Sequence, residues 1–214
     1  MKTTILLIRH GETAWNLDHR LQGHSDIALN ETGRRQAEAL ARALSTAALD
    51  AVIASDLQRA QQTALAVAGR HKLPVFSDKR LRERCFGGFE GLLHGEIRQR
   101  YPDQYAAWKA RDIDAVMPRG ERVAESFRQF YARSVTAILH WAQQYSGQTI
   151  AVVAHGGVLE CLYRAAAGMA LDSPREFLIK NASINRFSFA DGKLCLIQWG
   201  NVEHLTGPVG DELA

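Results

Sequence analysis

The chain has 214 residues, with 26 Lys and Arg against 23 Asp and Glu and a formal net charge of +3. Hydrophobic residues make up 46% and charged residues 23%, a globular balance that excludes wholesale disorder. The basic residues are scattered, so a nucleic-acid stripe is not indicated and an anionic small molecule is the better partner. The length suits one domain, 1–214, with a core that needs no covalent staples. Cys85, Cys161 and Cys195 are odd in number and lack metal-type spacing, which fits a reducing compartment. The apolar run Ile5 to Ile8 is too short for a signal-peptide core, and no run approaches a membrane span. A cytoplasmic location without membrane contact is expected, and a homodimer is left open.

Thr3 to Ile8 is apolar on both faces and reads as a strand buried inside a parallel sheet. Ala37, Leu40, Ala41 and Leu44 follow at helical spacing, with Asn30 or Thr32 as the N-cap. Ala51 to Ala54 is a second buried strand, and Leu57, Ala60, Ala64, Val67 and Ala68 form the next helical stripe. A weak strand falls at Val75-Phe76. Residues 86–120 mix glycines, prolines and aromatics and are expected to form an irregular, lid-like excursion above the sheet. A long stripe from Phe127 to Ala142, a strand over Thr149 to Ala154 and a helix after Gly156-Gly157 complete the alternation. Ser183 to Phe189 and Lys193 to Trp199, split by Ala190-Asp191-Gly192, read as a hairpin. The expectation is a three-layer α/β/α sandwich, its sheet mostly parallel with an antiparallel edge, followed by a tail over 201–214.

Ligands of such sheets bind outside the carboxyl ends of the strands. The first strand ends in Arg9-His10-Gly11, and the strand over Thr149 to Ala154 ends in His155-Gly156-Gly157. The second strand leads through Ser55 into Arg59, in the first turn of the next helix. Two histidines and two arginines therefore converge on one crevice. Forked guanidinium donors and a helix N-terminus suit a phosphoryl group. A neutral imidazole can attack phosphorus directly, and neighbouring arginines favour the neutral form. Asp and Glu do not converge with His at metal spacing, so no metal or other cofactor is expected.

These segments carry a resemblance. LLIRHGETAWN, SDLQRAQQTA, DKRLRERCFGGFEGL and VVAHGGVLECL, in that order, resemble the motifs of the histidine phosphatase superfamily, the branch that contains the phosphoglycerate mutases. The resemblance implies that His10 is the phosphorylated nucleophile. It implies that Arg9, Arg59 and His155 bind the phosphoryl oxygens and stabilise transition-state charge. Glu83 would protonate the leaving oxygen and then act as base. Asn16 and the Gly156 backbone would add hydrogen bonds to phosphate, and Gln22 and Gly23 would line the pocket. No metal is implied.

Glu83 lies among Arg80, Arg82 and Arg84, and an ion-pair network at the surface is the competing reading. Close guanidiniums would hold it ionised, whereas an acid catalyst must carry a proton. The remaining histidines, His19, His24, His71, His94, His140 and His204, stand in no comparable context, His24 being the best placed of them to approach the pocket. The short span from Phe86 to Glu121 and the AHGGV wording resemble the phosphatase branch rather than the mutases. The expected activity is metal-independent hydrolysis of a small phosphomonoester, such as a sugar phosphate, a phosphoglycerate or α-ribazole phosphate. The alternatives are a phosphoglycerate mutase and a non-catalytic phospho-ligand-binding module.

Overall fold

The computed structural model describes residues 1–207. Six strands form one sheet: β1 (Thr3–Arg9), β2 (Ala51–Ala54), β3 (Val75–Ser77), β4 (Thr149–Ala154), β5 (Ile184–Ala190) and β6 (Lys193–Asn201). Their order is β3-β2-β4-β1-β5-β6. The first four strands run parallel; β5 is antiparallel to β1 and β6 to β5. Among the described residues seven α-helices accompany them: α1 (Ala14–Leu17), α2 (Glu31–Ala43), α3 (Gln58–His71), α4 (His94–Arg100), α5 (Pro102–Lys109), α6 (Phe127–Gln144) and α7 (Gly156–Ala167).

The strand pleat makes the three layers. Successive side chains of β1 leave opposite faces of the sheet. Ile5 and Leu7 join a core with Phe130, Ile138, Val158 and Leu162 of α6 and α7. Leu6 and Ile8 join a core with Leu40 and Ala41 of α2 and Ala60, Ala64 and Val67 of α3. A strand apolar at every position is thus covered on both sides, and each fully buried Leu or Ile contributes about 1.5–3 kcal/mol. Asn30 caps α2 by accepting from the Gly33 N–H at 2.7 Å. Ser126 and Gln129 form a reciprocal capping box that starts α6.

The span 86–120 differs from the expected irregular chain. It holds a 3₁₀ turn at Gly87–Phe89 and both α4 and α5. Phe89, Ile97, Met117 and Ala124 form a small core of their own, packed by Phe86, Tyr101 and Trp108. Helices that bury a single residue or none carry no apolar stripe to read: α4 buries Ile97, and α5 buries no residue fully. Of the expected tail, residue 201 belongs to β6, and residues 208–214 lie outside the described residues. Among the described residues no helix is long and apolar enough to cross a membrane.

Candidate active site

The β1–β4 register pairs Arg9 with Ala154, so the residues that follow, His10 and His155, emerge side by side. The His10 N–H donates to the Ala154 carbonyl at 3.0 Å, and the two rings lie 5.2 Å apart. His10 Nδ1 lies 2.7 Å from the Gly11 carbonyl. A carbonyl only accepts, so Nδ1 carries the proton and Nε2 presents its lone pair. Gly11 is fixed in turn by its N–H, which donates to Thr63 Oγ1 at 3.1 Å. A Cβ at Gly11 would lie 2.5 Å from the Gly33 carbonyl oxygen, so only glycine allows this turn to rest on the start of α2.

Arg59 stands in the first turn of α3 and is 1% exposed. Its Nη1 and Nη2 donate to the carbonyls of Ser25 and Gly23, both at 2.8 Å. Its Nε donates to His155 Nδ1 at 3.2 Å. His155 therefore carries its proton on Nε2, the opposite tautomer to His10. That Nε2 is buried without a hydrogen-bond partner among the described residues, a costly arrangement unless an acceptor arrives. Arg9, also 1% exposed, donates from Nη1 to the Ile179 carbonyl at 2.6 Å.

Glu83 is 5% exposed. Its Oε1 accepts from the Arg84 N–H at 2.8 Å and its Oε2 from the Gly157 N–H, in the first turn of α7, at 3.0 Å. The neighbouring guanidiniums have other partners. Arg80 grips Asp78, Arg82 forms a two-pronged pair with Asp56, and Arg84 donates to the carbonyls of Glu125 and Ala115.

Arg9, His10, Asn16, Gln22, Gly23, Arg59 and Glu83 all line one cleft. His155 is wholly buried against His10. Gly156 is absent from the cleft wall, and the N–H beside it, that of Gly157, serves Glu83. Asn16 Oδ1 accepts from the Thr13 N–H at 3.1 Å, and Gln22 Oε1 accepts from Thr13 Oγ1 at 3.0 Å. Both amides thus turn their oxygens to the protein and keep N–H donors for the cleft. Among the described residues no group of three His, Cys, Asp or Glu side chains could hold a metal ion.

A profile of the histidine phosphatase superfamily, branch 1, matches residues 5–202. The chain belongs to this superfamily. It is 39% identical over 204 residues to phosphoglycerate mutase-like protein 4 of Arabidopsis thaliana, covering 94% of this chain and 86% of that one. It is 37% identical over 211 residues to a metal-independent phosphoserine phosphatase of Arabidopsis thaliana, covering 95% and 84%. The crystal structure of an α-ribazole phosphatase from Shigella flexneri superposes with a TM-score of 0.81 at 30% identity, covering 97% and 99%.

Electrostatics in this superfamily member favour neutral imidazoles. Burial holds the His10 pKa well below its ordinary value, and the charges of Arg59 and Arg9 add to it, against the opposing bond to Gly11. Burial likewise depresses His155, followed by Arg59 and His10. His19, Arg20 and His94, which stand outside the four motifs, also line the cleft, beside Trp15 and Phe86, which stand within them. His24 does not line the cleft and braces the acid's backbone: its Nε2 lies 2.8 Å from the Glu83 carbonyl. Arg133, on α6, donates to the carbonyls of Arg80, Arg82 and Glu83. Asn181 Nδ2 donates to the His10 carbonyl at 3.1 Å, so Asn181 braces the His10 backbone.

Proposed function

We propose that this protein is a phosphomonoesterase for small phosphorylated metabolites, working through a phosphohistidine on His10. The observation that carries the reading is the His10 tautomer: Nδ1–H bound to the Gly11 carbonyl leaves Nε2 as a lone pair inside a cage with Arg9 and Arg59. The phosphatases among its relatives support the same activity. His10 Nε2 attacks phosphorus while the P–O ester bond breaks. Arg9, Arg59 and the His155 Nε2–H stabilise the charge spread over the three equatorial oxygens. Asn16 and Gln22 add amide donors. Glu83 gives its proton to the departing alkoxide. It then takes a proton from water, whose oxygen attacks phosphorus as the P–N bond breaks, and phosphate leaves with His10 and Glu83 restored.

Glu83 must begin this cycle protonated. Its two N–H donors favour the carboxylate, and the incoming phosphoryl dianion opposes it. The cleft's fixed cations do the work that a metal performs elsewhere, so turnover should survive excess chelator.

Phosphate release from a panel of phosphorylated metabolites tests the reading. His10→Ala should lower kcat by at least ~10³-fold and abolish an acid-labile phosphoenzyme formed from labelled substrate. Turnover lost with chelator, or kept in His10→Ala, would refute it. Conversion of 3-phosphoglycerate to 2-phosphoglycerate in the presence of bisphosphoglycerate, faster than phosphate release, would make the protein a mutase instead. Binding without any turnover would make it a phospho-ligand receptor.

A further inference from the structure

One buried carboxyl takes no part in the reaction above. The Glu90 side chain is 8% exposed, and its ion-pair partner, Arg122, is 45% exposed and 3.8 Å away, a contact of little worth. The hydrogen bonds of Glu90 lie elsewhere, with two short segments. Oε1 accepts from the His24 N–H at 3.0 Å, from the Phe86 N–H at 3.1 Å and, more weakly, from the Cys85 thiol at 3.6 Å. Oε2 accepts from Ser25 Oγ at 3.0 Å. The approach is close: a Cβ on Gly23 would lie 2.2 Å from Glu90 Oε1, so the 23–25 turn rests on the carboxyl.

The same turn carries Arg59. The peptide unit between Gly23 and His24 is planar, with its N–H on one side and its C=O on the other. That N–H donates to Glu90 Oε1, and that C=O accepts from Arg59 Nη2 at 2.8 Å. Ser25 repeats the arrangement. Its hydroxyl donates to Glu90 Oε2, and its carbonyl accepts from Arg59 Nη1 at 2.8 Å. Each carboxyl oxygen thus holds a group on which one prong of the guanidinium fork hangs. Hydrogen bonds in series polarise one another, and a two-point hold fixes orientation as well as distance. The remaining nitrogen of the fork, Nε, reaches His155 Nδ1 at 3.2 Å.

We propose that Glu90 is a positioning residue for Arg59. It locks the two carbonyls that carry the fork and, through Arg59, keeps the His155 proton on Nε2, where the phosphoryl oxygens need it. The proposal rests on the phosphatase reading above only in giving that Nε2–H a phosphoryl group to meet.

The test uses the full chain with Glu90→Asp, which keeps the charge and withdraws the carboxyl by one methylene, and with Glu90→Gln, which keeps the reach. The Gly91 N–H donates to the Leu21 carbonyl and the Leu21 N–H to the Leu92 carbonyl, so the backbone around residue 90 stays paired in both. Glu90→Asp should lower kcat about 10- to 100-fold. The loss should be the same for p-nitrophenyl phosphate as for an alkyl phosphate, because an activated leaving group needs no acid. In Glu90→Gln the amide oxygen still accepts from both N–H groups and the Ser25 hydroxyl turns to accept from the amide nitrogen, so kcat should stay within about threefold of wild type. Added to Arg59→Lys, Glu90→Asp should cost less than about twofold more. Nitrogen NMR of Glu90→Asp should show His155 without its single tautomer.

Full activity in Glu90→Asp overturns the proposal, as does a loss in Glu90→Gln as large as in Glu90→Asp. A loss confined to the alkyl ester overturns it by placing Glu90 behind the acid instead. Equal cost on the wild-type and Arg59→Lys backgrounds, or a single His155 tautomer kept in Glu90→Asp, overturns it too. A wild type that cleaves no ester removes the phosphatase reading alone, since the nitrogen spectrum needs no turnover and still decides whether Glu90 holds Arg59.

Discussion

Two imidazoles 5.2 Å apart hold opposite tautomers because their partners differ in kind. A carbonyl forces the proton onto Nδ1 of His10, and a guanidinium N–H forces it off Nδ1 of His155. One ring presents a lone pair and the other an N–H donor, without either being charged. Arg59→Lys should break this division. Lysine keeps the charge but cannot reach two carbonyls and a ring nitrogen at once. We expect kcat to fall by about 10²-fold and the His155 ring nitrogens to lose their single tautomer, read by nitrogen NMR. An unchanged tautomer with full activity would show that the guanidinium fork is dispensable. At this scale the sequence was informative about which residues gather, since His10, Arg59, Glu83 and His155 each sit in a contiguous word. It was silent where one side chain arrives from afar. His94 stands in no motif, and Arg133 reaches the Glu83 carbonyl across 50 residues. The ion-pair reading of Glu83 was open because sequence adjacency does not say where guanidiniums point. Asp56, Asp78 and two carbonyls take the three that flank it.

The N-terminus of α7 does two jobs at once. Its cap residue is His155, and its Gly157 N–H holds the Glu83 carboxylate. A Cβ at Gly157 would lie 2.3 Å from Glu83 Oε1 and 2.8 Å from the Phe130 ring. Both contacts are shorter than a Cβ tolerates, so the carboxylate and the buried ring must shift. Gly157→Ala should therefore lower kcat about 10- to 100-fold, while the far-ultraviolet spectrum stays that of the wild type. Wild-type turnover in this variant would show that the position of Glu83 is not critical. Elements were legible in proportion to the surface they bury. β1, β2, β4 and the stripes of α2 and α3 could be read residue by residue, since each is packed against a full layer. α4 and α5 could not, because α4 buries only Ile97 and α5 buries no residue fully.

For the whole molecule, two histidines kept neutral by burial make stability depend on pH. Both have folded pKa values well below the ordinary 6.5. Below about pH 6.5 the unfolded chain takes up a proton at each that the folded protein refuses. Their contribution is complete above that pH and is lost as the pH falls toward the folded values, by up to ~1.4 kcal/mol per pH unit for each ring. The urea midpoint should therefore drop between pH 7 and pH 5, and His155→Gln should flatten that drop. An equal slope in the variant would locate the acid sensitivity elsewhere, for instance in Asp56 and Asp78, whose depressed pKa values place their loss nearer pH 4 and below. The layered architecture was legible as a whole because strands and helices alternate. The two helices inside the 86–120 span were not, since they bury little of their own surface.

The central ladder joins the opening strand to one completed only at residue 154, and the brace on the His10 carbonyl comes later still, from Asn181. During synthesis, a ribosome that has released the first 140 residues has exposed His10, Arg59 and Glu83 with no means of assembling them. Catalytic power should thus be born late and abruptly, and the onset of ester cleavage in timed translation would report when the last quarter of the polypeptide docks.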